Sequence, residues 1–291
     1  MVTVRQLSNE IKTTLKSGGI EDYIFESNCI IENILNLSYS ELVLNSETEV
    51  LNDLYTKALD AASKRISGYP LQYLLGSWEF YGLPFYVGEG VLIPRQDTET
   101  LVDYVLNYCK TKKLTTSSLN CIDLCSGSGC IAVSLGLNLP SAVFTAVEYS
   151  DIAFSFLERN ISLNNASNIK AVIGNVLDSK VANEYSNLDI IVSNPPYLTD
   201  KDMDTLQKEV SFEPALALKG GSDGLLFYRV IVANWKRSLK CNGLIAFEIG
   251  IGQEQDVSSI LKENSFTDIT FTKDLCGVVR VVSAVYTPVD C

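Results

Sequence analysis

From residue 119 onward, short apolar runs alternate with amphipathic stretches, and that alternation restricts the fold more than any other feature. The candidate strands are Cys121–Cys125, Ala142–Glu148, Ala171–Ile173, Leu188–Ser193, Gly243–Ile249, Thr267–Phe271 and Val278–Thr287. Candidate helices lie at about 129–137, 151–164, 201–209, 222–239 and 252–263. Strands and helices in strict succession predict a mostly parallel sheet covered on both faces. The last two strands follow one another without a helix, so one of them is expected to run antiparallel.

The first 68 residues have a different period. Val4, Leu7, Ile11 and Leu15 recur at helical spacing, as do Val50/Leu51, Leu54, Ala58 and Ala61/Ala62. Ile24, Ile30/Ile31 and Ile34/Leu35 make a second apolar stripe. These stripes predict a domain of four to five helices over residues 1–70. Between Trp78 and Val91 the chain is aromatic and broken by Gly82, Pro84, Gly88 and Gly90, which predicts a β-hairpin in a linker spanning 71–95. After Pro94, Asp97 or Thr98 is expected to cap a helix running to about Lys112, and the α/β domain then occupies 96–291.

Composition narrows the chemistry. There is no histidine, which removes Ser-His and Cys-His nucleophilic machinery. Without histidine or a C-x-x-C pair, no metal site is expected. No apolar stretch approaches the ~20 residues of a membrane span, and the N-terminus lacks a signal-peptide layout. The eight cysteines then read as reduced thiols in the cytoplasm. The net charge of −12 is shared by both halves of the chain, so a long phosphate backbone would be repelled and direct nucleic-acid binding is not expected.

Two motifs carry the candidate chemistry. Asp123-Leu124-Cys125-Ser126-Gly127-Ser128-Gly129 follows the first strand and opens a helix, where free N–H groups favour a carboxylate or phosphate. Glu148 ends the next strand, where an acidic side chain can accept ribose hydroxyls. Gly174-Asn175-Val176 closes the third, placed to flank an adenine. These residues fit a nucleotide-like cofactor, and the spacing Gly127-x-Gly129-x-x-Ala132 suits a dinucleotide as well as S-adenosylmethionine. The second motif, Asn194-Pro195-Pro196-Tyr197, ends the strand Leu188–Ser193. Two prolines stiffen it and turn carbonyl oxygens outward, a geometry able to grip both hydrogens of a planar –NH2 group. The carboxylates between Glu209 and Asp223 read as solvated loop or cap residues.

In this order, the motifs resemble the protein-(glutamine-N5) methyltransferases that modify peptide chain release factors, the PrmC/HemK family. The likeness extends through Pro70–Gly76, Glu79–Phe85, Leu92–Glu99, Glu213–Leu218, Gly220-Gly221-x-Asp223-Gly224, Glu248-Ile249-Gly250 with Gln253, and Asp274–Val281. Cys125 stands where that family usually has glycine, Asn175 where it has aspartate, and Gln96 where it has proline. The resemblance implies a Rossmann-like class I SAM-dependent methyltransferase with a seven-stranded sheet and an N-terminal helical domain that holds the partner protein. It implies S-adenosylmethionine as cofactor, S-adenosylhomocysteine as product, and a class-one release factor as substrate. Cofactor contacts would come from Asp123, Cys125, Ser126, Gly127, Ser128, Gly129, Glu148, Asn175, Val176 and Asn194. Asn194, Pro195, Pro196 and Tyr197 would bind the glutamine amide and carry the transfer. The alternative is an adenine-N6 nucleic-acid methyltransferase, whose flipped base offers a similar amino group. An NAD-dependent oxidoreductase would share the glycine loop but leave Asn194–Tyr197 idle, and a non-catalytic SAM-binding module would not turn SAM over.

Overall fold

The computed structural model describes residues 2–289 as two compact units. One is Met1–Ser77 with Gln207–Phe212; the other is Trp78–Leu206 with Glu213–Cys291.

The first unit contains helices Val4–Ser17, Tyr23–Leu35, Tyr39–Leu44, Asn52–Ile66 and Leu71–Leu75. Thr3 starts the first of them with a capping box, accepting from the Gln6 amide while Gln6 Oε1 accepts from the Thr3 N–H at 2.9 Å. Val4, Leu7, Ile11 and Leu15 face inward as their spacing requires, against Ile30, Ile31, Ala58 and Ala62. Ile24, in the first turn of its helix, and Leu51, at an N-cap, stay exposed despite their places in the apolar stripes. The helix expected at 201–209 stops at Met203. Further on, Glu209 pairs with the buried Arg65 at 2.6 Å and Phe212 packs edge-on against Tyr69, which assigns Gln207–Phe212 to the helical unit.

The second unit starts at Trp78, within the hairpin of β1 (Ser77–Phe80) and β2 (Leu83–Tyr86), closed by Tyr81 and Gly82, both at positive φ. Helix Gln96–Thr111 follows, with Arg95 at its N-cap. It starts before Thr98, whose side chain is therefore free to turn inward instead of capping. Seven strands then form one sheet: β3 (Asn120–Leu124), β4 (Val143–Glu148), β5 (Ile169–Ile173), β6 (Leu188–Ser193), β7 (Leu239–Glu248), β8 (Phe266–Lys273) and β9 (Val279–Tyr286). Their order is β5-β4-β3-β6-β7-β9-β8, and β9 alone opposes its neighbours, as the missing last helix predicts.

Apolar side chains on the two faces of this sheet make two cores. Leu101, Val105, Val133, Leu135 and Leu157 cover one face. Tyr228, Ile231, Trp235, Val257 and Leu261 cover the other. Strand order reverses between β3 and β6, where Leu124 pairs with Ser193. The loops after these strands therefore emerge side by side, at the position where open α/β sheets bind ligands. No helix among the described residues is long and apolar enough to cross a membrane. Cys29, Cys109, Cys121, Cys125, Cys130 and Cys276 carry free thiols. Cys241 is disulfide-bonded, against the expectation of eight reduced thiols, and Cys291 lies outside the described residues.

Candidate active site

The loop after β3 turns sharply, with Cys125, Gly127 and Gly129 at φ of 61, 55 and 81°. Strain falls on Cys125, since a side chain disfavours the left-handed region that glycine adopts freely. Cross-links offset it. Ser126 donates its N–H to the Val147 carbonyl at 3.0 Å and its hydroxyl to the Asp123 carbonyl at 2.8 Å. Asn160, fully buried, donates to the Ser128 carbonyl at 2.9 Å and accepts from the Tyr86 N–H at 2.7 Å, fastening the hairpin to the loop. Glu148 accepts the N–H groups of Gly127, Tyr149 and Ser150, each at 2.8 Å, so its carboxylate has one orientation.

Beside this loop opens a cavity of about 200 Å³. Cys125, Ser126, Gly127, Ser128, Glu148, Asn175, Val176, Asn194 and Pro196 line it, bringing together most of the residues singled out in the sequence. Asn175 Oδ1 accepts from the Leu177 N–H at 3.0 Å, which fixes its side chain at the mouth of β5.

Four expected residues do not line the cavity. Gly129 is the N-cap of helix Cys130–Asn138. Pro195 is buried, and Tyr197 packs into the core on the face of Tyr228 and Trp235, where burial pushes its phenol up to about 12. Asp123 lies outside the cavity altogether. In β3 it shares a side with Cys121, which sends its carboxylate beneath the loop, with no exposure and only the Ser126 side chain and the Ala132 amide as donors near it. Burial pushes its pKa up to about 7, while Ser126 and the Ala132 amide pull the other way.

Several lining residues carried no specific assignment. Thr98 and Arg95 come from the Leu92–Glu99 motif, whereas Ile131, Leu177 and Phe227 are apolar side chains without any local signal. Glu213 also departs from expectation: it is buried, accepts from the Ile93 N–H at 3.1 Å and pairs with Arg95. It pins the segment before helix Gln96–Thr111 instead of facing water.

The Asn194–Tyr197 turn is clamped from three directions. Leu198 N–H donates to the Leu218 carbonyl at 2.9 Å, and Gly220 N–H returns to the Leu198 carbonyl at 2.7 Å. Gln253 Nε2 donates to the Tyr197 carbonyl at 3.1 Å. A Cβ on Gly220 would lie 2.7 Å from the Pro196 oxygen, and one on Gly224 would lie 2.3 Å from the Tyr197 oxygen, so only glycine admits this approach. The motifs downstream of the turn are its scaffold. At its head, Asn194 Nδ2 donates to Thr98 Oγ1 at 3.2 Å. Among the described residues nothing donates to Asn194 Oδ1 or to the Pro195 carbonyl, and none of them forms a cluster able to hold a metal ion.

Comparison with known proteins places the chain in a family. Residues 6–76 match the PrmC N-terminal domain and residues 106–240 the methyltransferase small domain. A release factor glutamine methyltransferase of Fusobacterium nucleatum subsp. nucleatum is 36% identical over 275 residues, covering 93% of this chain and 75% of its own. One from Clostridium botulinum is 35% identical over 272 residues, covering 93% of this chain and 94% of its own. The hMettl16 catalytic domain, solved in complex with MAT2A 3'UTR hairpin 6, shares the fold alone. It has a TM-score of 0.55 and 18% identity over 81% of this chain and 84% of that one. With its class I methyltransferase sheet and a likeness to these bacterial enzymes that covers 93% of its length, the chain belongs to the release factor glutamine methyltransferase family.

Proposed function

We propose that this chain transfers the methyl group of S-adenosylmethionine to the side-chain amide nitrogen, N5, of a glutamine, that of the Gly-Gly-Gln motif in class-one peptide chain release factors. One observation carries the reading. The Asn194 carboxamide is held by its nitrogen at Thr98 and lines the same cavity as Glu148. Family membership supplies the substrate class, and such a substrate would place the reaction in the cytoplasm, with the helical unit available to hold the release factor.

The residues present fit S-adenosylmethionine. Adenosine requires acceptors for two hydroxyls and apolar walls for a flat base; the cavity offers the Glu148 carboxylate beside Ile131, Leu177 and Phe227. Glu148 would take the ribose, Asn175 and Val176 the adenine edge, and Cys125–Ser128 the methionine end. Bound there, the sulfonium supplies an electrophilic methyl carbon.

An amide nitrogen is a weak nucleophile because its lone pair is shared with the carbonyl. Asn194 Oδ1 would accept one substrate N–H, and the main-chain oxygen of the buried Pro195, without a donor among the described residues, would have to become accessible to accept the other. These bonds aim the nitrogen and stabilise the positive charge it acquires. Pro196 walls off water. The new N–C bond would form as the S–C bond breaks, with the sulfur keeping that electron pair and the alkylated amide then losing one proton to solvent. No strong base is needed, which suits a chain without histidine.

The test is incubation with S-adenosylmethionine and a candidate release factor, followed by tandem mass spectrometry to locate one added methyl group. Asn194→Ala should still bind the cofactor yet lose on the order of 10²-fold or more in kcat. A methylated oligonucleotide with no methylated glutamine would overturn the reading.

A further inference from the structure

Behind Asn194 lies a carboxylate that the steps above leave unused. Glu248, the last residue of β7, is 2% exposed, and its Oε2 has no hydrogen-bond partner in the protein. The groups facing it come from every element packed around it. Asp97 and Thr98 belong to helix Gln96–Thr111, Asn194 and Tyr197 to the turn after β6, and Arg280 to β9. Cys130 approaches from helix Cys130–Asn138, and the Tyr228 hydroxyl donates to the main-chain carbonyl of Glu248 at 2.9 Å. Arg280 is engaged elsewhere, by Asp97 at 2.7 Å and Asp274 at 3.2 Å. Glu248 is thus a buried acid without a dedicated ion-pair partner, costly for the fold and unexplained by packing.

Its position supplies a reason. The two ends of an asparagine amide are nearly equal in shape, so the buried neighbour decides which end points into the cavity. An ionised carboxylate accepts hydrogen bonds and donates none. It therefore calls for the Thr98 O–H and the Asn194 NH2 and repels Asn194 Oδ1. The observed donation from Asn194 Nδ2 to Thr98 Oγ1 has this polarity. A protonated acid would add a donor able to draw Oδ1 inward.

We propose that Glu248 is a positioning residue for methyl transfer. As an acceptor-only group it holds the Thr98 hydroxyl and the Asn194 NH2 inward, and so presents the Asn194 carbonyl oxygen to the substrate amide. The inference rests on the reading of Asn194 as the substrate acceptor, and it adds a charge requirement. Negative charge behind the amide also polarises Oδ1 toward the nitrogen that becomes positive. Burial pushes Glu248 up to about 7, helped by Asp97 and opposed by Thr98, Arg280 and Asn194. Its ionisation, and with it the productive orientation of Asn194, should change across neutral pH.

The experiment compares wild type, Glu248→Gln and Thr98→Val as intact proteins between about pH 5 and pH 9, with a release factor as methyl acceptor. Wild-type kcat should fall about tenfold per pH unit below an inflection near neutrality and be level above it. Glu248→Gln should lose roughly 10–100-fold in kcat at alkaline pH, keep its KM and its calorimetric affinity for S-adenosylmethionine, and show no inflection near neutrality. Thr98→Val should lower kcat with cofactor affinity unchanged and retain the inflection. A readout independent of turnover is the carboxyl-carbon NMR titration of the unliganded protein, in which one glutamate should titrate near neutrality and disappear in Glu248→Gln. Full activity in Glu248→Gln, or an unchanged pH profile, would overturn the inference while leaving the methyl-transfer reading intact. A wild type that methylates no glutamine would remove both. If Glu248→Gln fails to fold, the Thr98→Val kinetics and the wild-type titration decide: a glutamate titrating in the ordinary range refutes the proposal.

Discussion

Asp123 offers the sharpest test of the electrostatics. Its carboxylate is fully buried, the Ser126 side chain and the Ala132 amide do not offset the lost hydration, and its pKa is pushed from the ordinary 3.8 to about 7. The folded pKa lies above the unfolded one, so the associated stability is fully present below pH 3.8 and is lost as pH rises to about 7. In that window the unfolded chain releases a proton that the folded chain retains. At roughly 1.4 kcal/mol per pH unit, the whole loss is about 4 kcal/mol. About 3 kcal/mol of it falls between pH 5 and pH 8. Asp123→Asn keeps the shape and abolishes the ionisation. Urea unfolding of the unliganded protein should therefore find variant and wild type within about 1 kcal/mol of each other at pH 5, and the variant about 3 kcal/mol more stable relative to wild type at pH 8. If both proteins show the same change between the two pH values, Asp123 is ionised throughout and the reasoning fails.

Two further substitutions probe the scaffold. Gly220→Ala would place a Cβ 2.7 Å from the Pro196 oxygen and from Tyr197 Cα, backbone atoms that cannot swing away. It should cut kcat by about 10–100-fold with cofactor affinity preserved, read by steady-state kinetics beside calorimetry. In the helical unit, Arg65→Ala would strand Glu26, which now takes two hydrogen bonds from the buried guanidinium. It should cost about 3–5 kcal/mol, measured as a lowered denaturation midpoint.

The sheet was readable in the sequence because each strand is a short apolar run and the alternation leaves one topology class open. The glycine loop and Asn194 were readable because their function is local: the residues that build the turn are neighbours in the chain. Asp123 ends outside the cavity although it opens the glycine motif. Two-residue periodicity, which puts it on the same side as Cys121, was the signal that would have sent it beneath the loop. Glu213 looked like a surface acid because its partners, Arg95 and the Ile93 amide, lie more than a hundred residues away. Thr98 was expected to cap a helix that in fact begins two residues earlier. Leu177, Phe227 and Ile131 were invisible because an apolar wall and an apolar core look alike one residue at a time.

Gln253 reaches back to the Tyr197 and Gly224 carbonyls at 3.1 and 3.4 Å, a clasp from the segment that follows β7. Its consequence is thermodynamic. The entropy of ordering the reactive corner is surrendered once, during folding, and need not be surrendered again in each turnover. Loosening that clasp should therefore appear as a less favourable activation entropy, with little change in activation enthalpy.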